Sequence, residues 1–333
     1  MRSHWGLLPS LEYLYAMMST PNNPRARWLD QPNQDDRAQY ADIVEEGLCF
    51  GTQLLDSFMS AGLSARENIA LVSLLRHTIE TVDPVPICIR SGMIDSAKTN
   101  LRALLDTWLA VLYITKADTE RRAKSYLYVD ALEQVKRMRR FDPETLEGKH
   151  YAALLNKDRI LWAERKKVPP DIVEFRNQLR SLEAHFGGDF YKGIHEEYAR
   201  VKKIKKHPNW YSLFDGPDNI EQLANLLNVP AVYETFFRRY SGKVHPSAVI
   251  SENVAVRADG SLALKPIRRS GSAPEVVPLC VKLLIDIYRS INTKCSLMPS
   301  DVLEAWAKSL LNELTDIPSW KLAKGQAMTG KGR

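Results

Sequence analysis

The chain has 333 residues, 44% of them hydrophobic, and its 46 lysines and arginines against 40 acidic residues leave a formal net charge of +6. That is enough chain for a sizeable core in one large or two ordinary domains, and the mild basic excess permits a polyanionic partner without requiring one. Cys49, Cys88, Cys280 and Cys295 are scattered, with no Cys-x-x-Cys and no histidine at ligand spacing, which argues against a zinc site and for a reducing cytoplasm.

The N-terminal segment carries Pro9 and Glu12 within its apolar part and lacks a small-residue cleavage site, so neither a signal peptide nor a membrane anchor is expected. A proline-bearing polar linker follows, and then a long helix over 35–61 with Ile43, Leu48, Phe50, Leu54, Leu55 and Phe58 as core contacts. Ser64 and Glu67 form a capping box for a helix reaching 79, whose apolar face is Ile69, Leu71, Val72, Leu75 and Ile79. Asp83-Pro84-Val85-Pro86 interrupts the pattern.

Residues 89–116 predict the helix around which the rest is arranged. Its second half is apolar nearly all round, which marks burial among other helices. The run from Trp108 to Ile114 is nevertheless far short of the roughly 20 residues that cross a bilayer. At about 100° per residue, Asp95, Thr99, Arg102, Asp106 and Tyr113 fall in one narrow stripe. Arg102 and Asp106, four apart, can pair directly. Buried ions cost several kcal/mol each unless they are paired and hydrogen-bonded, so this stripe needs a partner.

Asp118 caps a charged helix that ends in KRMRR at Arg140. Helices over 143–167 and 171–186 flank Pro169-Pro170, and another over 190–206 closes in KKIKKH. Both basic runs complement a helix C-terminus, or contact nucleic acid, although no aromatics interleave with them. After the aromatic loop HPNWYSLFDG comes a helix over 232–244. Tyr233, Phe236, Phe237, Tyr240 and Val244 take one side of it, and Glu234, Arg238, Ser241 and His245 the other. Pro246 sets His245 at or just past the helix end, where the dipole favours the imidazolium. Period-two alternation over 253–265 predicts a hairpin turning at Asp259-Gly260, and helices follow over 275–292 and 301–314. Cys280 and Cys295, roughly 20 Å apart along one helix, cannot bridge. The expected class is all-α, an irregular multi-helix bundle with one small hairpin. Its organisation is an extension and linker at 1–36, a single helical domain at 37–315 and a mobile basic tail at 316–333.

Two segments, SGMIDSAKTNLRALLDTWLAVLYI and IEQLANLLNVPAVYETFFRRYSGKVHPS, resemble the bacterial family called domain of unknown function 5677. The family pattern falls here on Arg102 with Asp106, where Glu is more usual, and on Tyr233, Phe237, Ser241 and His245. The resemblance covers about 40–300 and implies a helical fold without an activity. The spacing of Arg238 or Arg239 to His245 also resembles the motif of the higher-eukaryote-and-prokaryote nucleotide-binding (HEPN) helical domains. Many of those are metal-independent ribonucleases of toxin–antitoxin or phage-defence systems, often with two motifs facing each other across a homodimer.

That resemblance implies His245 as base or acid and Arg238 or Arg239 as phosphate clamp, with Ser241 orienting the imidazole or donating to a phosphate oxygen, and with no cofactor and no metal; the stripe and the first family pattern add Arg102, Asp106, Asp95, Tyr113 and Tyr233 as supports. Two functions stand: metal-independent RNA cleavage, and a non-catalytic helical module that binds a nucleotide, RNA or a cognate partner protein. The Arg102–Asp106 stripe is expected to face the Arg238–Ser241–His245 stripe. No Gly-rich phosphate loop, metal-ligand motif or nucleophile elbow is present.

Overall fold

The structure, a computed structural model, describes residues 35–61, 68–161, 171–186, 188–244, 250, 253–268 and 273–318. The N-terminal segment and linker, the capping box of Ser64 and Glu67, Pro169-Pro170, His245 and the basic tail from 319 lie outside the described residues.

The described chain is helical apart from one hairpin. In order it forms α1 (Asp35–Ala61), α2 (Asn68–Val82), α3 (Pro84–Arg90), α4 (Ile94–Lys116), α5 (Thr119–Arg139), α6 (Leu146–Lys157), α7 (Ile172–Phe186), α8 (Lys192–Lys202) and α9 (Ile220–Leu226). Helix α10 has three parts: a short α-helical start at Pro230–Val232, a π-helical segment at Tyr233–Phe237, and an α-helical stretch at Arg238–Val244. Strands β1 (Val254–Val256) and β2 (Leu262–Leu264) precede α11 (Ala273–Cys295) and α12 (Ser300–Asp316). No helix among the described residues is long and apolar enough to cross a membrane.

Helix α4 is the hub, packed against α2, α3, α5, α10 and α11. Over 104–111 only Asp106 reaches solvent, as an all-round apolar pattern requires. The sequence reading of one helix over 89–116 is corrected here: α3 stops at Arg90 and α4 starts at Ile94. Gly92 takes the left-handed conformation (φ 67°), its N–H bonds to Ile89 O (3.0 Å), and Met93 N–H bonds to Cys88 O (2.7 Å). This is a glycine C-cap with paired return bonds. Two further expectations change. Asp118 stands at the start of α5 with φ 47° but caps no backbone N–H, because Arg121 holds its carboxylate. Ile69 is exposed, and Leu71, Leu74, Leu75 and Val82 carry the buried face of α2 instead.

The core divides into two clusters. The larger joins α1–α5 to α9–α12, and the smaller gathers Tyr128, Val135, Leu179, Phe186, Ile194, Tyr198, Val201 and Leu213. Helix α5 serves both, with Ala123 in the first and Tyr128 and Val135 in the second. Asp142 clamps the smaller cluster. Almost wholly buried, it receives Arg176 of α7 at 2.8 Å through both carboxylate oxygens, and the Arg176 hydrogen bond holds its carboxyl below the usual range. The hairpin turns at Gly260 (φ 80°) in the register Val254↔Leu264, Ala255↔Ala263, Val256↔Leu262.

Helices α1 and α11 approach closely because α1 offers glycines. Tyr288, fully buried on α11, donates its hydroxyl to Gly47 O at 3.0 Å, and a Cβ added at Gly51 would lie 2.2 Å from that hydroxyl. Gly51→Ala should therefore destabilise the fold by about 1–3 kcal/mol through overpacking. Gly193→Ala, in open space within α8, should leave stability unchanged or raise it slightly. Thermal melts of the two variants check the opposite signs. Acidification offers a second check: Asp142, with its folded-state pKa lowered, contributes stability above its unfolded value of 3.8 that is lost as pH falls below it. Asp142→Asn should flatten that part of the stability profile.

Candidate functional site

Arg102 projects from α4 toward α10 and is held on three sides. Its Nε donates to Ser241 Oγ at 2.8 Å, its Nη1 donates to a carboxylate oxygen of Asp106, and its guanidinium lies 3.3 Å from the centroid of the Phe237 ring. Tyr233 stacks on Phe237, with ring centroids 5.1 Å apart. Phe237 and Ser241 share a face because they are four apart on a helix, and the Ser241 hydroxyl donates in turn to Phe237 O at 2.7 Å. Ser241's proton is therefore already committed. Two of its N–H groups thus have acceptors and its face has a ring, which offsets the cost of holding a guanidinium only 18% exposed.

The candidate residues do not all converge. Arg102, Asp106, Ser241 and Tyr233 come together with Phe237, while Asp95 pairs with Lys243 at 3.0 Å near the start of α4. Arg238 points to solvent and pairs with Glu234 at 3.1 Å. Arg239, 58% exposed, reaches Glu275 at 3.7 Å, a carboxylate shared with the buried Lys98 at 3.0 Å. The sequence reading put Ser241 beside Arg238 and opposite the aromatics; the structure puts it with Phe237 against α4 and leaves Val244 exposed. Tyr113 departs from the stripe as well. Buried, it donates to Tyr211 O at 3.3 Å and carries the Arg122 guanidinium 3.9 Å over its ring. His245 lies outside the described residues.

Beside Arg102, Asp106 opens into a cleft of about 350 Å³ whose walls include His77, Thr107, Tyr126, Trp210 and Tyr211. Arg102 occupies one carboxylate oxygen, and no described residue donates to the other. Solvent reaches the Asp106 side chain, 52% exposed, yet protein surrounds it on most sides. Burial accordingly pushes its pKa up from the ordinary 3.8, and Arg102 opposes that shift. Burial and the nearby Asp106 charge likewise raise the Tyr211 phenol, and burial and Asp130 raise that of Tyr126. Both therefore stay protonated hydrogen-bond donors at neutral pH. Trp210 is held edge-on by Tyr113 and Tyr126, with centroids at 5.6 and 5.2 Å.

Sequence reasoning identified Asp106 but not its cleft. Trp210 and Tyr211 sat in a loop recognised only as aromatic-rich, and no local signal tied Tyr126 or His77 to a residue some 20 to 30 positions away. The density of aromatics in HPNWYSLFDG was the one usable clue.

A family model described as "Family of unknown function (DUF5677)" matches residues 68–261, more than half of the chain and all of this site. No curated protein and no solved structure matches the chain. The resemblance to HEPN ribonuclease domains finds no support in these comparisons.

Ser241→Ala removes the acceptor of Arg102 Nε and leaves a half-buried charged donor unsatisfied. The expected cost is about 1–3 kcal/mol, read as an earlier thermal melt, whereas Arg238→Ala, at an exposed ion pair, should stay within about 0.5 kcal/mol of wild type.

Proposed function

Since the chain belongs to this family of unknown function, we propose its function from its own cleft: a non-catalytic helical module that binds a nucleotide or single-stranded RNA by receiving one base beside Asp106. The observation that carries this reading is the unshared Asp106 oxygen in an aromatic-walled cleft. A carboxylate accepts from the amino and imino groups of a base edge, and aromatic walls contribute about 1–3 kcal/mol per base by stacking. A cleft of about 350 Å³ lies at the small end of ligand sites and suits one ring system. Arg102, fixed by Ser241 and Phe237, holds the carboxylate in one orientation before a ligand arrives.

The test is fluorescence anisotropy with labelled single-stranded RNA of the four bases, and calorimetry with mononucleotides. Asp106→Asn should weaken binding by about ten- to a hundredfold, the loss of one charge-assisted hydrogen bond. Wild-type affinity should fall on acidification with a midpoint above 3.8, because the raised pKa of Asp106 brings protonation, and loss of the acceptor, to higher pH. The Asn variant should show no such midpoint. If no base binds, or if the pH profile is the same in both proteins, the reading fails.

A second reading, metal-independent RNA cleavage, is favoured by one contact. Because Ser241 touches Arg102, the helix bearing Arg238 and Arg239, with His245 next in sequence after it, runs alongside Asp106. In this reading His245 takes the 2′-hydroxyl proton and one of the exposed arginines offsets charge on the phosphate, with a second copy of the chain completing the pair. Purified protein incubated with a mixed RNA pool in EDTA should cut it, and His245→Ala should abolish cutting with an unchanged melt. An intact pool in the presence of wild type retires this reading and leaves the first in place.

A further inference from the structure

A second groove lies on the opposite side of α5 from the Asp106 cleft, since Tyr126 and Tyr128 are two residues apart on that helix and face about 200° from one another. It holds about 520 Å³ between α5, α7 and α8. Tyr128 meets His195 at 2.8 Å, and about two turns further along each helix Lys136 and Lys202 line the same groove. Helices α5 and α8 therefore run in the same direction. The two basic runs, some 60 residues apart in sequence, bring their first lysines together.

We propose that this groove is a binding site for a phosphate group, taken as free phosphate or as the ester of a small apolar or planar molecule, with Lys202 and His195 as its donors. Across the groove and its rim the charges balance, with Arg139, Lys136 and Lys202 against Glu183, Glu147 and Glu133, and the opening for an anion is local to Lys202. Arg139 takes up both acids that line the groove, Glu183 at 2.8 Å and Glu147 at 3.4 Å, and Lys136 is paired with Glu133 at 2.5 Å. Lys202 has no acidic partner among the described residues. Burial, with Tyr198 adding to it, pushes the Tyr128 phenol up to about 12, so that hydroxyl remains a donor at neutral pH. The direction of the Tyr128–His195 Nδ1 bond depends on the imidazole tautomer; in the tautomer where Tyr128 donates, the ring proton lies on Nε2, the nitrogen not engaged by Tyr128, where it can donate to an oxyanion. Leu132 and Phe186 supply an apolar wall for the body of an ester, and the volume exceeds what phosphate alone would fill. The site is independent of the base cleft and uses none of its residues.

The experiment is an NMR titration of the full chain, following the His195 imidazole, assigned with His195→Gln, against inorganic phosphate and separately against phenyl phosphate. A saturable shift is expected, with Lys202→Ala weakening it at least tenfold at an unchanged melt and Asp106→Asn leaving it intact. Tyr128→Phe, which frees the imidazole without removing the ring, should weaken binding several-fold. Tighter binding of phenyl phosphate identifies an ester as the ligand, and equal binding identifies free phosphate. No saturable shift with either anion, or the same affinity after Lys202→Ala, overturns the proposal.

Discussion

Everything in the main core answers to one constraint: α4 is enclosed by other helices and yet carries ions. A helix covered on most sides cannot leave a lysine or an arginine without a partner, because desolvation costs more than packing returns. Three ions of α4 are accordingly met by groups from distant parts of the sequence. Lys98 is met by Glu275 of α11, Arg102 by Ser241 of α10, and Asp95 by Lys243 of α10. These bonds fix how α10 and α11 lie on α4, where apolar contact alone would tolerate sliding. Polar pairing sets the register, and burial holds it.

Asp106 differs from the other ions because its burial is incomplete. Arg102 restrains one oxygen while the other faces a cleft, so a structural pair also presents a chemical group. The same side chain that satisfies the core orients the acid. This is why the pair reads equally well as architecture and as recognition, and why a change at Ser241 or Phe237 would reach the cleft without touching it.

Much of this was legible in the sequence where one periodicity ran undisturbed. The bounds of α1, the polar stripe of α4 and the hairpin at Asp259-Gly260 all follow from period and turn chemistry. The reading went astray where two patterns joined without a polar gap. The apolar residues of α3 continue into α4 across Ser91-Gly92, so a break caused by one left-handed glycine looks like an unbroken helix. The direction of Arg239 was equally hidden, since Glu275, which holds it, comes near only once α11 is in place, whereas Glu234 and Arg238, four apart on one helix, were legible as neighbours. The cleft was out of reach because its walls come from α2, α5 and an irregular loop, and no local pattern links them.

The π-helical segment at Tyr233–Phe237 carries a wider consequence. A π turn accommodates one residue more than an α turn in the same rise, so the parts of α10 before and after it are out of phase by roughly a residue's rotation. The segment therefore sets the phase in which Phe237 and Ser241 follow the first turn of α10. What selection must keep here is thus a count as well as a composition. A substitution within the segment exchanges one side chain, but loss of a single residue would restore a regular helix and turn every later side chain of α10 through about 100°, carrying Ser241 and Lys243 away from α4 together.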